Sequence, residues 1–170
     1  MLSSPATSID ASLELPEGNC VLTHQPLNVE EITGLVGNDA AGAAVVFIGT
    51  TRNSFKGNVV TRLEYQAYSK MAIKTIGHIV REAVSHGSRS EHHIPTQQVS
   101  AILRCSVYHR LGTVPVGEPS IVIAVSSPHR KEAFGACEFI LEEIKRKAQI
   151  WKREYYEGKD DSQAEWKENS

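Results

Sequence analysis

The sequence has few cysteines and no long hydrophobic run. Its three cysteines, Cys20, Cys105 and Cys137, lie far apart, and none belongs to a C-x-x-C pair. A zinc knuckle, an iron–sulfur cluster and a thioredoxin-type dithiol are therefore disfavoured, and each thiol is predicted to be a small buried side chain. The longest apolar run, 40–49, is too short to cross a bilayer.

The N-terminal residues lack the features of a targeting signal. Residues 1–19 have no basic start, no apolar core and no Arg, so neither a secretory signal nor a transit peptide is predicted, and the expected location is the cytosol. Residues 1–18 are rich in Ser, Pro and small side chains and are predicted to form a flexible lead-in. The remaining residues, 19–170, suffice for one domain.

Charged residues are unevenly distributed along the chain. Residues 1–40 carry six acids and neither Lys nor Arg, and residues 154–170 carry six acids and two lysines. The part between them is therefore basic, which indicates an anionic ligand or partner. The overall pI of about 6.4 disfavours a dedicated nucleic-acid binder. The densest histidine cluster, 91–95, lies in a polar stretch without an H-x-x-x-H helix, so no metal site is predicted.

Hydrophobic periodicity predicts an α+β domain with a mostly antiparallel sheet and two main helices. The apolar run 42–49 is typical of a buried strand, and the alternating run 59–68 is predicted to pair with it as a long hairpin. Apolar residues at helical spacing predict a one-sided helix over 69–84. The remaining predicted elements are strands over 20–24, 99–112 and 120–127 and a short helix over 28–37.

The second main helix is predicted to begin after Ser127, which would cap it, with Pro128 in its first position. It is expected to run to about Ala148. The side chains that it would bury are Phe134, Cys137, Ile140, Leu141 and Ile144. Its N-terminus favours an anion, which would also compensate the charges of His129 and Arg130 in the first turn. The competing interpretation is that both side chains point into solvent.

The end of this helix is rich in positive charge. Between Ile144 and Glu154 the chain carries no acid and five cations, namely Lys145, Arg146, Lys147, Lys152 and Arg153. Lys145 and Lys152 would share a face if the helix continued that far. Compensation of the helix dipole explains one or two of these cations but not five. Neighbouring ammonium groups lower one another's pKa, so a lysine here is suited to general acid/base chemistry near neutral pH.

Two other segments place cations at strand ends. The loop 50–58 presents Arg52, whose guanidinium suits bidentate binding of phosphate or carboxylate. His109 and Arg110 follow another predicted strand. For all three, a surface position without a ligand is the competing interpretation.

Five motifs together resemble a known family. FIGTTRN, LEYQAY with a Met-containing helix after it, HRLGTVPVGE, IAVSSPHRKEAF and IKRKAQIWKRE occur in an order and spacing similar to the large, catalytic subunit of molybdopterin synthase, over roughly residues 20–168. The resemblance implies an α/β hammerhead-type α+β fold and a sulfurtransferase of molybdenum cofactor biosynthesis. The family converts cyclic pyranopterin monophosphate to molybdopterin by installing two dithiolene sulfurs. No metal or cofactor is implied in this subunit.

The resemblance also implies partners and residue roles. Sulfur arrives as a thiocarboxylate on the C-terminal Gly-Gly of a small ubiquitin-like subunit, and two large subunits form the central homodimer of a heterotetramer. Lys145 and Lys152 match the catalytic lysines; Lys145 is assigned to tail binding and charge stabilisation, and Lys152 to proton transfer or a covalent adduct. The residues that match the substrate site are Arg52, His129, Arg130 and Phe47.

One departure from the family pattern keeps other functions open. Gln149 stands where the family usually has Pro, so the helix is expected to run further and to shift Lys152. The alternatives are a non-catalytic anion-binding module for RNA or an acidic protein, and a scaffold subunit that has lost activity. Base stacking is poorly supported, because few aromatic residues accompany the cations and no RNP, KH or helix-turn-helix pattern is present.

Overall fold

The computed structural model describes residues 7–87 and 101–169, so the histidine cluster at 91–95 lies outside the described residues. The described strands are β1 Ala11–Leu15, β2 Gly18–Thr23, β3 Ala43–Thr50, β4 Ser54–Phe55, β5 Asn58–Ala67, β6 Arg104–Arg110, β7 Gly112–Pro115, β8 Pro119–Ser127, β9 Ile150–Tyr156 and β10 Trp166–Glu168. The described α-helices are α1 Val29–Gly34, α2 Ser69–Gly87 and α3 Arg130–Lys147, and a 3-10 helix covers Asp161–Gln163.

The strands form two sheets. The first has the order β1-β2-β6-β8-β3, in which only β2 and β6 run parallel. The second has the order β10-β9-β5-β4, with β7 also paired to β5, and all of its pairs are antiparallel. This arrangement confirms the predicted α+β class with mostly antiparallel pairing.

The helices lie on both faces of the first sheet. Along β8, Ile121, Ile123 and Val125 belong to the main core, which also contains the buried faces of α2 and α3. Val122 and Ala124 belong to a second cluster with α1. Successive side chains of a strand point to opposite faces, so this alternation places α1 on one side and the two long helices on the other. Such burial on both faces explains why β8 is a nearly continuous apolar run.

The predicted long hairpin between 42–49 and 59–68 is wrong. β3 pairs with β8, and β5 pairs with β4, β7 and β9. The intervening loop contains its own tight turn at Lys56 and Gly57, which have φ of 48° and 80°. Positive φ at both central residues is the geometry of a two-residue hairpin turn. The apolar run and the alternating run identified the two strands correctly but carried no information on which strands pair.

The start of α3 also differs from the prediction. Ser127 remains in β8, where its hydroxyl donates to the Ala101 carbonyl (2.5 Å) and accepts from the His129 N–H (3.2 Å). His129 takes the capping position, with extended backbone and no capping bond from its side chain. Phe134 is 60% exposed rather than buried, whereas the rest of the predicted stripe lies in or against the core.

Gln149 does not extend α3. The helix ends at Lys147, and Ala148 already has extended backbone (ψ 140°). The Gln149 side chain accepts a hydrogen bond from the Thr75 hydroxyl (2.9 Å), and its carbonyl accepts from the Tyr68 N–H (3.0 Å). Two bonds to the start of α2 therefore hold this residue outside the helix, and β9 begins at the next position.

The N-terminal region contains regular structure. β1 lies within the segment 1–18 that was expected to be a lead-in, and it pairs with β2 through Leu15 and Gly18. Its side chains alternate between half-buried and exposed, as in a strand at the edge of a sheet. The predicted boundary at residue 18 therefore falls inside the β1–β2 hairpin.

The three cysteines are buried and unpaired with one another, as predicted from their spacing. Burial raises the pKa of Cys20 and of Cys105 to about 12 and that of Cys137 to about 11. All three side chains belong to the main core. They therefore act there as small apolar groups.

Candidate active site

A cavity of about 420 Å³ lies among residues of both sheets, the loop after β3 and the last turn of α3. Four of the residues predicted from sequence line it: Phe47, Arg52, Lys145 and Lys152. They come from positions up to about a hundred residues apart in the chain, and the fold brings them to one space. The cavity combines apolar walls with three cationic side chains, which suits an anionic ligand of small-molecule size.

Arg52 is positioned by the loop that follows β3. The Thr51 N–H donates to the Glu118 carbonyl (3.2 Å), and the Gly117 N–H donates to the Thr51 carbonyl (2.9 Å). These bonds fasten the loop to the turn between β7 and β8. Arg52 is exposed at its outer part and lines the cavity, so its guanidinium is available for a bidentate contact with an oxyanion.

Lys145 and Lys152 reach the cavity from different elements. Lys145 lies in the last turn of α3, next to the buried Ile144, whereas Lys152 lies in β9 directly across from Tyr65 of β5. The prediction that they would share one helix face is therefore wrong, because a strand begins between them. Their convergence results from the packing of α3 and β9 around the same space.

The other three cations of this segment have acidic partners. Arg146 and Lys147 contact Glu143 at 2.7 and 2.6 Å on the surface of α3. Arg153 contacts Glu64 at 3.3 Å, and its guanidinium lies 4.6 Å from the ring centre of Trp166. The five-cation cluster thus separates into two lysines on the cavity and three cations with structural contacts.

The environment of Lys152 makes its neutral form less costly than that of a lysine in water. Its pKa is lowered from the ordinary value of 10.5, first by burial and then by the positive charges of Lys145, Lys167 and Arg52, while Glu154 opposes the shift. Removing a proton from such an ammonium costs less than from a lysine in water. This lowered pKa suits Lys152 to accepting and returning a proton.

His109 is a fully buried, neutral residue that lines the cavity. Burial lowers its pKa to about 4. Its Nδ1 lies 2.8 Å from the Arg110 carbonyl, which can only accept, so Nδ1 carries the hydrogen. The other nitrogen, Nε2, then accepts from the Asn169 amide at 3.2 Å. This bond attaches the residue after β10 to the cavity wall.

Sequence reasoning missed several residues of the cavity. Tyr65, Glu154 and Asn169 line it and were not singled out, and His109 was considered only as a strand-end cation. Glu154 is buried and accepts a hydrogen bond from the Tyr156 hydroxyl. Had β9 been predicted as a strand, alternation from Lys152 would have placed Glu154 on the same face.

His129 and Arg130 are not brought to this cavity within one chain. Both are exposed and lie at the opposite end of α3 from Lys145. At 1.5 Å per residue, Arg130 and Lys145 are separated by roughly 22 Å along the helix axis. Of the four substrate-site residues that the resemblance implies, a single subunit therefore brings only Phe47 and Arg52 to the cavity.

Two further features concern metals and membranes. Within 7–87 and 101–169, no cluster of three or more His, Cys, Asp or Glu side chains has the arrangement of a metal site. No described helix combines the length and the apolar character that a membrane span requires.

Comparison with known proteins identifies the family. The model of the MoaE protein family matches residues 22–147. The chain is 43% identical over 148 residues to molybdopterin synthase catalytic subunit 2 of Aedes aegypti, an alignment that covers 87% of each protein. This chain belongs to the MoaE family. The resemblance to molybdopterin synthase large subunits, noted from five motifs, is thereby confirmed.

Other relatives of this MoaE family chain agree. The catalytic subunit of Culex quinquefasciatus molybdopterin synthase is 42% identical over 149 residues, covering 87% of this chain and 86% of that protein. The crystal structure of Staphylococcus aureus molybdopterin synthase superposes with a TM-score of 0.72 at 33% identity, covering 86% of this chain and 94% of the other. A chain of the same fold occurs in a complex of subunits 1 and 2 of the Helicobacter pylori molybdopterin-converting factor. It superposes with a TM-score of 0.61 at 22% identity, covering 81% of this chain and 85% of that chain.

Proposed function

We propose that this chain is the catalytic subunit of a molybdopterin synthase and transfers sulfur from a thiocarboxylate to a pterin phosphate. The observation that supports this most directly is the convergence of Lys145, Lys152 and Arg52 with Phe47 on one cavity. The reaction is inferred from the family to which the chain belongs. The cavity contains the cationic side chains that this reaction needs. The cations that line the cavity would attract the negative end of a peptide tail.

The proposed chemistry needs binding, charge stabilisation and proton transfer. The thiocarboxylate sulfur attacks a carbonyl carbon of the pterin precursor, and the oxygen of that carbonyl leaves as water. A second water then adds to the acyl carbon of the resulting thioester, and the bond between that carbon and sulfur breaks. The tail leaves as a carboxylate, and the sulfur stays on the substrate as a thiol. Lys145 holds the anionic tail and stabilises the oxyanion formed when water adds. Lys152 takes a proton from the attacking group and returns it to the leaving group.

The reaction itself can be tested with purified components. The full chain, mixed with a thiocarboxylated small subunit and cyclic pyranopterin monophosphate, is expected to yield molybdopterin, detected by its oxidised fluorescent derivative. The same mixture with a small subunit ending in an ordinary carboxylate is the control and should give none. Absence of product in the complete mixture, with both proteins folded, would contradict the proposal.

A homodimer would bring further cations to the cavity. β3 is an edge strand and carries Ile48, which is 42% exposed, and α3 carries the exposed Phe134 one turn after Arg130. An exposed apolar residue on an edge strand and another on a helix suit contact with a second copy of this chain. We propose that the second copy supplies His129 and Arg130 to the phosphate end of the site.

Substituting the phosphate-binding residues should weaken substrate binding. Arg52→Ala or Arg130→Ala is expected to raise the Kd for the pterin precursor about tenfold or more, because each removes a charge-assisted hydrogen bond. Calorimetric titration of the precursor measures the change. Arg146→Ala is the matched control, since Arg146 contacts Glu143 outside the cavity. An unchanged Kd in both test variants would show that neither residue binds the substrate.

Mixed dimers separate a shared site from a site within one chain. Arg130→Ala and Lys152→Ala subunits, each inactive or weakly active alone, should regain part of their turnover after being unfolded and refolded together. A dimer that contains one of each then has one site with both native residues. If mixing leaves turnover at the average of the two parents, the two residues do not serve a site across the interface.

Lys145→Ala should weaken both tail binding and turnover. The substitution removes the ammonium that is proposed to contact the negative end of the tail. Losing such a contact, when it is partly desolvated, costs about 1–3 kcal/mol of binding free energy. Calorimetry with the small subunit measures the affinity, and the turnover assay measures catalysis. Lys147→Ala is the control, because Lys147 contacts Glu143 rather than the cavity. Equal affinity for Lys145→Ala and the parent would contradict the assignment to tail binding.

A further inference from the structure

Lys167 lies on the face of the second sheet that borders the cavity. In the pairing of β10 with β9, Lys167 is directly across from Lys152, and cross-strand partners point to the same face. Asn169, two residues further, lines the cavity. Because residues two apart on an extended chain share a face, Asn169 independently places Lys167 on the cavity side.

The side chain of Lys167 extends towards the far edge of the same sheet. Its Nζ lies 5.7 Å from the ring centre of Phe55, which belongs to β4 and lines the cavity. β10 and β4 are the two ends of the strand order β10-β9-β5-β4. Lys167 is exposed and does not itself line the cavity, but this contact places its ammonium beside a residue of the cavity wall.

We propose that Lys167 is an additional ligand-binding cation of this cavity and that, together with Lys145 and Lys152, it binds the oxyanion of an incoming ligand. The proposal rests on the function proposed above and adds a residue to the same site. Two sources of this oxyanion fit the chemistry: a phosphate group and the carboxylate end of a peptide tail. Both carry negative charge on oxygen atoms that accept hydrogen bonds from ammonium groups.

The charges around Lys152 support a role for Lys167 beyond a solvated surface lysine. The groups that face Lys152 are Lys145 from α3, Arg52 from the loop after β3, Lys167 from β10 and Glu154 from its own strand; Tyr65 and His109 are neutral neighbours. Lys167 is among the charges that lower the pKa of Lys152. A bound oxyanion would relieve the repulsion among these ammonium groups, so its binding is favoured by all three lysines.

Titration of the oxyanion probes tests the proposal without turnover. The full chain is titrated with inorganic phosphate in one arm and with a synthetic peptide ending in Gly-Gly in the other, while lysine side-chain signals are followed by NMR. Lys167→Ala is expected to weaken the binding of at least one probe about threefold to fivefold, as for an exposed charge, and Lys167→Arg should retain it. The arm that weakens identifies the source of the oxyanion.

The pKa of Lys152 provides a second readout. Removing a neighbouring positive charge in Lys167→Ala should raise the pKa of Lys152, followed through its 13C-labelled side chain, whereas Lys167→Arg should leave it unchanged. Lys159→Ala is the matched control. Lys159 lies in the same C-terminal region, but its ammonium is 5.1 Å from the ring centre of Tyr156, and it is not among the charges that shift the pKa of Lys152.

The outcomes distinguish this proposal from the proposed function. Weaker probe binding in Lys167→Ala, with Lys159→Ala unchanged, supports the role of Lys167 even if no sulfur transfer is found. Binding of both probes within the error of the parent overturns it, even if the parent chain produces molybdopterin. A circular dichroism spectrum and melting temperature equal to those of the parent show that a loss of binding does not come from unfolding.

Discussion

Lys152→Ala is expected to reduce molybdopterin formation by about 10²- to 10⁴-fold, the usual contribution of a general acid/base, while leaving complex formation with the small subunit nearly intact. The physical reason is that Lys152 is the half-buried lysine whose pKa is lowered by burial and by nearby cations. Single-turnover measurement of product with thiocarboxylated partner gives the rate, and calorimetry gives the affinity. Near-normal turnover would refute the catalytic assignment.

Lys152→Arg separates catalysis from simple anion binding. Arginine keeps the positive charge but stays protonated at any accessible pH, so it can hold an anion and cannot exchange a proton. A binding module for RNA or an acidic protein should tolerate this change, whereas the proposed enzyme should lose turnover and keep its affinity for the small subunit. Full activity in Lys152→Arg would favour a binding role for this position.

The pH dependence of the parent enzyme should reflect the shifted group. If neutral Lys152 accepts the proton, turnover rises with pH through its pKa and levels off at a lower pH than an ordinary lysine would give, because the folded environment lowers that pKa. His109 does not contribute to this profile near neutral pH, since its pKa of about 4 keeps it uncharged there.

Gly18→Ala is expected to have the largest effect on stability. A Cβ at this position would lie 1.6 Å from the Cys105 carbonyl oxygen and 2.7 Å from its carbonyl carbon. Gly18 begins β2 and pairs with Leu15 of β1 on one side and with Cys105 of β6 on the other. The parallel β2–β6 pair would have to separate, and we expect a loss of about 3 kcal/mol or more in the free energy of unfolding.

A second glycine provides the control. An added Cβ at Gly135, which is exposed in α3, has no atom within 4 Å. Gly135→Ala should therefore raise stability by about 0.5–1 kcal/mol, because alanine is the better helix former. Urea denaturation of the parent and both variants measures the differences. A Gly18→Ala protein as stable as the parent would show that β2 and β6 are less closely paired than the structure describes.

Four of the residues that line the cavity could be predicted because short motifs carry them. Arg52, Lys145, Lys152 and Phe47 were identified from local sequence and resemblance, and the fold brings all four to one cavity. Tyr65, His109 and Asn169 reach the same cavity through strand pairing and through a hydrogen bond between distant residues. Such contacts leave no local pattern in a single sequence, which is why they were missed.

The same distinction explains the errors in the fold. Periodicity located β3, β5, β8 and both long helices, because local burial determines it. The partner of β3 and the strand β9 depend on tertiary pairing, and Lys152 was therefore assigned to a helix face. The beginning of α3 was misplaced because Ser127 uses its hydroxyl for a bond to Ala101 rather than for the helix N-terminus.

The three buried thiols have a consequence for the sulfur transfer proposed above. Thiolates attack thioesters and exchange with reactive sulfur species, and the protein's own cysteines could divert a sulfur donor into dead-end adducts. Cys20, Cys105 and Cys137 are protonated at physiological pH and enclosed in the core. None of the three cysteines therefore presents an accessible thiolate that could compete for a donated sulfur atom.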